Sequence, residues 1–460
     1  MAASESFDSE RNQVCIAPSL LETLGRRIVT RFLGSFISTG CLTLQEAGGA
    51  DLTFAGTGRK CSLKFHLKVH NPQFYWKVMT RADIGLADAY IDGDFSFADA
   101  DEGLLNLIML LIANRDANQS ASESNKKRGW WTPLSLFTAT FASAKLAYQH
   151  VLRQNTLTQA RRNISRHYDL SNEIFALFLG ESMTYSSGIF KTEDEDLQTA
   201  QMRKISILVE KARIEPKHEV LDIGCGWGTF AIEVVKRTGC KYTGITLSEE
   251  QLKFAEMKAK DAGLQDHIKL QLCDYRQLPE TRKYDRIISC EMIEHVGHEF
   301  MEEFFGCCGK LLSGDGLLVL QFSSIPDERY EQYRRSTDFI KEYIFPGACV
   351  PSLSMVISAM SAATRLCVEH VENIGSHYYH TLRHWRKNFL DNQSKILAMG
   401  FDEKFIRTWE YYFDYCAAGF RTYTLGNYQV VFSRTGNIKT LGYPYRGFPS
   451  AYAHLSSTQP

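Results

Sequence analysis

Several features that would sort a chain of this size at once are missing. Its 12 cysteines form no C-x-x-C pair and its 13 histidines no cluster at zinc-ligand spacing, which argues against a zinc module and a disulfide framework. The vicinal Cys307 and Cys308 fall in a helical pattern and read as packing, as reduced thiols of a cytosolic protein do. Charge of one sign is also lacking: the formal net charge of -1 over 460 residues gives no global field for nucleic acid. The longest apolar run, Leu104 to Ala113, is interrupted by Asn106 and too short to cross a bilayer. Glu5, Asp8 and Glu10 stand where a leader would need a basic cap and an apolar core, against a secretory signal or transit peptide. No repeat period is visible. What remains is a cytoplasmic protein, soluble or peripheral to a membrane, whose 44% hydrophobic content supports a large core and more than one domain.

What is present centres on Val220-Leu-Asp-Ile-Gly-Cys-Gly-Trp-Gly228. An aliphatic strand runs into a turn with glycines at 224, 226 and 228, and a helical segment follows. Glycine removes side chains where the backbone turns tightly and approaches a ligand. A dinucleotide fingerprint needs a glycine at 229, where Thr229 stands. The G-x-G-x-G spacing fits a methyltransferase that holds S-adenosylmethionine better than a nicotinamide fold.

Residues 1–17 read as a flexible N-terminus and 18–113 as one α+β unit. In that unit Leu42–Gln45 and Leu63–Val69 alternate as half-buried strands, with helices over Phe74–Ala89 and Leu104–Ile112. Residues 114–160 comprise a polar linker and an amphipathic connector helix over Pro133–Gln154. Strands at 218–223, 241–246, 268–272, 284–289 and 316–322 alternate with helices in a catalytic domain over 161–440, ahead of a tail at 441–460. That alternation predicts an α/β fold with a doubly wound sheet and ligands at the strands' C-terminal ends. Two further strands, 366–371 and 428–434, are expected to close a seven-stranded, Rossmann-like sheet as an antiparallel edge.

Each part of S-adenosylmethionine needs its own device. Asp222 with Gly224, Cys225, Gly226 and Gly228 can take the amino-acid portion on backbone N–H groups. Thr246, Leu247, Ser248 and Gln251 follow the second strand, where Gln251 can bond the ribose hydroxyls through a neutral contact, the usual acidic residue being missing. Tyr275, beside Arg276, can lie on the adenine face. The same Ser248 and Gln251 also read as a helix N-cap and its N3 partner.

His167-Tyr-Asp-Leu-Ser-Asn172, Met183-Thr-Tyr-Ser-Ser187, the glycine turn, Met292-Ile-Glu-His-Val-Gly297, Tyr343-Ile-Phe-Pro346 with Pro351-Ser352, and Cys416-Ala-Ala-Gly-Phe-Arg421 form ordered blocks. In these the chain resembles the cyclopropane fatty-acid synthases, which include mycolic-acid cyclopropane synthases and plant relatives. Gly85 to Asp94 resembles their small N-terminal lipid-handling domain. The resemblance implies a class I methyltransferase that adds the cofactor's methyl carbon across a cis double bond of a membrane phospholipid, with bicarbonate as base and no metal. A homodimer is consistent with it.

On the same resemblance Glu294 contacts the bicarbonate, and Tyr378 donates its hydroxyl to it. Ser187 and Gln321 stand where bacterial members carry cysteine and histidine, so the ion site is expected to be present and less cationic. The Ser187 and Ser323 main-chain N–H groups would face the ion. Tyr185 and Ser186 are placed near the sulfonium, and Cys416 is a pocket residue, since no step of ring formation needs a thiolate. His167 and His295 are either bases or structural. Bland alternatives stand beside these: a helix-terminus acid for Glu294, a packed aromatic for Tyr378, a satisfied strand-end amide for Gln321. Lys126-Lys-Arg128 with Trp130 and Trp131 suits an anionic lipid surface or a solvated linker. Rival functions are methyl branching of lipids, N-methylation of a small amine, and a non-catalytic lipid- or cofactor-binding relative.

Overall fold

The computed structural model describes residues 18–46, 49, 51–58, 61–123, 155–168 and 171–453. The N-terminal seventeen residues, the connector over 133–154, and the basic run with Trp130 and Trp131 lie outside the described residues, as does the side chain of His167. The chain divides into two compact units, Met1–Trp130 and Trp131–Pro460.

In the first unit, β1 (Cys41–Glu46), β2 (Leu52–Ala55), β3 (Lys64–Val69) and β4 (Phe95–Phe97) form one sheet in the order β2-β1-β3-β4. Strand β3 buries Phe65, Leu67 and Val69 and exposes the residues between them, the alternation of a strand with one face on a core. Helices Gln73–Ile91 and Gly103–Glu123 accompany the sheet, the second running ten residues into the stretch expected to be linker. The polar composition from Asn114 is that of a helix surface, anchored where Asn114 accepts from the Ser38 and Thr39 N–H groups at 2.7 and 2.9 Å. Helix Leu20–Phe36, unforeseen in sequence, starts on a capping box in which Ser19 and Glu22 exchange bonds.

The second unit is built on seven strands: β5 (Glu219–Ile223), β6 (Lys241–Thr246), β7 (Ile268–Leu272), β8 (Tyr284–Cys290), β9 (Leu312–Ser324), β10 (Leu366–Asn373) and β11 (Gly426–Arg434). Their order is β10-β11-β9-β8-β5-β6-β7, with β5 to β9 parallel and β11 antiparallel between β9 and β10. The expected doubly wound sheet and its antiparallel edge are both present. The strands read as unbroken apolar runs (Leu317 to Leu320 are all fully buried) because helices cover both faces. Chain order reverses between β5 and β8, which opens a crevice beyond their carboxyl ends. Among the described residues no helix is long and apolar enough to cross a membrane.

Candidate active site

The crevice is an open cleft, lined from the glycine turn after β5, the ends of β6 and β8, and the loop carrying Tyr185 and Ser186. Gly228 has a φ of +84°, and a Cβ there would stand 2.7 Å from the Ala255 Cβ, so glycine lets two helices meet. Gly226, at φ +55°, has open space where its Cβ would be, and it lines the cleft. The turn is tied to β6 by the Gly224 and Cys225 N–H groups, both donating to the Ile245 carbonyl at 3.0 Å.

Asp222 is buried and accepts from the Tyr242 hydroxyl at 2.5 Å. Burial pushes its carboxyl up to about 7, against the bond from Tyr242 and the charge of Lys204. Lys204, nearly inaccessible on helix Leu197–Lys211, places its Nζ 2.8 Å from the Ser186 Oγ and lines the same cleft. No sequence motif singled out Lys204. An acid and a base thus share the cleft beside an open glycine cradle, a donor set that suits a zwitterionic amino-acid group.

Thr246 donates to the Gln251 Oε1 at 2.7 Å, so what Gln251 can offer a ligand is its Nε2 donors. Leu247 and Tyr275 also line the cleft, the Tyr275 ring packed edge-on to Phe304 at 5.3 Å. Three cofactor expectations are corrected. The Gly224, Cys225 and Gly228 N–H groups, expected to face the amino-acid portion, donate instead to the Ile245 and Cys225 carbonyls. Ser248 is fully buried, accepts from the Gln251 N–H as a helix N-cap, and does not line the cleft. Arg276 lines it, but its guanidinium is held by both oxygens of Asp274 at 2.8 and 2.7 Å, so it braces this corner.

The expected ion site is built around a residue that sequence reasoning passed over. Glu291 follows β8 directly, at φ +50°, a region that non-glycine residues rarely enter. Its Oε1 accepts from the Ser187 N–H at 3.0 Å, the Gln321 Nε2 at 2.8 Å and the Asn427 Nδ2 at 2.7 Å. Its Oε2 accepts from the Tyr378 hydroxyl at 2.6 Å. The structure therefore brings Ser187, Gln321 and Tyr378 together, but on a carboxylate of the chain itself. Burial and the charge of Glu291 hold the Tyr378 hydroxyl well above its ordinary range, so it stays a donor.

Glu294 is one short turn further on. Its Oε1 accepts from the Ser323 N–H at 2.6 Å, while Oε2 is buried without a partner. Burial, and next the Glu291 charge, push its carboxyl up to about 8. The Ser323 N–H thus faces Glu294, and the acid named in sequence stands behind the one that receives the donors. Glu294, Tyr378, Gln321, Ser187 and Cys416 do not line the cleft, whereas Glu291 does. Cys416, on helix Glu403–Arg421, has its thiol raised by burial, which leaves it a small apolar pocket residue. His295 lines the cleft with its imidazole pushed down to about 4 by burial, a weak base at neutral pH.

One aromatic ring, Tyr185, lines this end of the cleft and is backed by others. Tyr185 donates its hydroxyl to that of Tyr412 at 3.1 Å, and its ring lies 5.1 Å from Trp385 and 6.2 Å from Phe345.

A family model described as mycolic acid cyclopropane synthetase matches residues 155–430, the span that holds every residue of this site. The chain belongs to this family. Tuberculostearic acid methyltransferase UfaA1 of Mycobacterium tuberculosis is 38% identical over 378 residues, 80% of this chain and 83% of that protein. Cyclopropane-fatty-acyl-phospholipid synthase of Escherichia coli is 31% identical over 385 residues, 83% and 91% of the two chains. Mycolic acid cyclopropane synthase CmaA1, solved with SAH and CTAB, superposes with a TM-score of 0.56 at 30% identity, covering 60% of this chain and 98% of that one. The chain is thus an S-adenosylmethionine-dependent methyltransferase of a lipid-modifying family, and the non-catalytic reading is set aside.

Proposed function

We propose that this family member adds a methyl carbon across a cis double bond of a phospholipid acyl chain and closes a cyclopropane ring. The observation that carries this reading is the juxtaposition of a glycine-lined cleft with a half-buried carboxylate that accepts four hydrogen bonds and with the Tyr185 ring, itself backed by further aromatic rings. Asp222, Lys204, the glycine turn and Gln251 would hold S-adenosylmethionine. When bound, it supplies an electrophilic methyl carbon on a sulfonium.

The chain's own groups do the rest. An alkene is a weak nucleophile, so it must be pressed close in a site that excludes water. The Tyr185 ring lines the cleft, where an aromatic face stabilises positive charge on the acyl chain by about 0.5–2 kcal/mol when desolvated, and Phe345 and Trp385 pack against it. A carboxylate at the end of β8 is placed to hold the proton that ring closure releases.

The N-terminal unit is proposed to meet the membrane. On helix Leu20–Phe36, Leu20, Leu24, Ile28 and Phe32 recur every fourth residue and are exposed, beside the exposed Arg27 and Arg31. A stripe of this kind supports peripheral contact with an anionic lipid surface.

Expression in a bacterium that lacks cyclopropane lipids, followed by mass spectrometry, tests the reading: unsaturated phospholipid chains should gain one CH2 unit. Unchanged lipids would overturn it. The name of the UfaA1 relative, which aligns with 80% of this chain, favours a second reading in which the product is methyl-branched. Proton NMR of the isolated lipid separates a ring from an isomeric methylene branch.

A further inference from the structure

The donors that the family resemblance assigns to bicarbonate are already engaged. The Ser187 N–H, the Gln321 amide and the Tyr378 hydroxyl all point at Glu291, joined by the Asn427 amide. The Ser187 N–H and the Tyr378 O–H each have one hydrogen to give, and an external ion offered the same bonds would have to displace a carboxylate that accepts four. The donor set does not fit bicarbonate with Glu291 in place.

The orientation of this cage is fixed from outside. Lys211 is fully buried and can only donate; its Nζ lies 2.7 Å from the Gln429 Oε1. The Gln429 Nε2 then donates to the Gln321 Oε1 at 2.8 Å, which leaves the Gln321 Nε2 to face Glu291. Glu291 also lies where the cleft meets β8, beside Ser186, Cys290 and Met292. Its positive φ is retained although a side chain there costs of order 1 kcal/mol or more. Strain at a site held by four bonds points to a role for that side chain.

We propose that Glu291 is the catalytic base of this enzyme and that its carboxylate takes the place of an external bicarbonate. The inference rests on the proposed methyl transfer to an olefin. Once the olefin's π pair has bonded the new methyl carbon, and the methyl–sulfur bond has broken with its pair left on sulfur as S-adenosylhomocysteine, the neighbouring carbon is positive. A C–H bond of that methyl then breaks, its electron pair forms the third carbon–carbon bond of the ring, and the proton passes to Glu291. Oε2, with one donor against three on Oε1, is the oxygen with capacity to receive it. The proton returns to solvent when the product leaves. Glu294, its carboxyl raised by burial and then by the Glu291 charge, stands beside it.

The test uses the full chain and two variants, with folding checked by circular dichroism. Glu291→Gly suits the left-handed backbone and empties the cage; Glu291→Gln fills it with a group that cannot take a proton. With unsaturated phospholipid vesicles in carbon-dioxide-free buffer, the unmodified enzyme should keep its turnover, and both variants should lose about 100-fold or more. Added bicarbonate should restore Glu291→Gly by about 10-fold or more and leave Glu291→Gln unrescued. Independently of turnover, 13C-bicarbonate NMR in the presence of S-adenosylhomocysteine should show saturable binding to Glu291→Gly and none to the unmodified chain. Saturable binding to the unmodified chain, a bicarbonate requirement for its turnover, or full activity of either variant without the ion would overturn the proposal. Should Glu291→Gly fail to fold, the unmodified chain's binding and Glu291→Gln decide it. A chain that methylates no unsaturated lipid refutes the proposed function instead, while the NMR result still reports who occupies the cage.

Discussion

Gln429 and Gln321 face each other across β11 and β9, and the 2.8 Å bond from the first amide to the second decides which end of Gln321 meets Glu291. An amide by itself can turn over. Here a buried ammonium two bonds away removes the choice. Lys211→Met should therefore do two things. It should destabilise the fold by about 3 kcal/mol, since the half-buried Glu372, 2.6 Å from Lys211, loses its cation and keeps the Ser450 and Ala451 donors. It should also lower turnover by more than it lowers cofactor affinity, because Gln321 is then free to present its oxygen to Glu291. Denaturant unfolding and calorimetry of S-adenosylhomocysteine binding read the two effects separately.

Glu294→Gln is expected to be mild, because an amide resembles the neutral acid that the structure calls for. The carboxyl, raised in the fold from 4.5 to about 8, binds a proton that the unfolded chain has lost over that interval. Its contribution to stability is therefore full below about pH 4.5 and is lost as pH rises through about 8. The slope cannot exceed about 1.4 kcal/mol per pH unit for one group. Urea unfolding of the ligand-free chain across this window should show the decline, and Glu294→Gln should flatten part of it. A profile identical in both would place the proton elsewhere.

Cofactor binding should tighten as pH rises through about 7, where the buried Asp222 ionises and can meet an ammonium group. Asp222→Asn should weaken S-adenosylhomocysteine by about 10–100-fold, the worth of a hydrogen bond to a charged group, and abolish that pH dependence. Titration calorimetry on both sides of neutrality checks it.

The two glycines should fail differently on substitution. Gly228→Ala drives a methyl into Ala255 at 2.7 Å as well as straining the backbone, so it should cost stability first. Gly226→Ala meets nothing within 4 Å and should cost about 1–2 kcal/mol of backbone strain, but its methyl enters the open space of the cradle and should reduce cofactor affinity. Melting temperature and affinity measured together separate the cases.

On the N-terminal unit, Leu24→Asp with Ile28→Asp should reduce sedimentation with anionic phosphatidylglycerol vesicles several-fold and leave the melting temperature nearly unchanged, since both side chains are exposed. Turnover on detergent-dispersed lipid should survive. Equal loss on both would place the helix in the core of that unit.

Much of the fold was legible because its signals are local. The glycine turn, the apolar runs of β5 to β9 and the late strands each announce themselves within ten residues. What escaped was short or carried by distant partners. The four-residue β2 and three-residue β4 are too brief for periodicity to register. Glu291 sits one residue ahead of the block that begins at Met292, and its donors come from positions 187, 321, 378 and 427, which only folding assembles. Lys204 and Lys211 did leave a trace: both fall on the buried stripe of helix Leu197–Lys211, seven residues apart, where lysine has no business without a partner. Ser248 reads both as a cofactor residue and as a helix cap, and the bond the structure shows is the cap.

Because β11 threads between two strands made earlier, Asn427 and Gln429 reach the heart of the enzyme last. A nascent chain that has emerged only as far as β10 already owns its nucleoside cradle, yet its proton acceptor hangs without two of the amides that steady it. Assembly of that cage thus waits on the insertion of β11, after the glycine turn and the strands around it have been made.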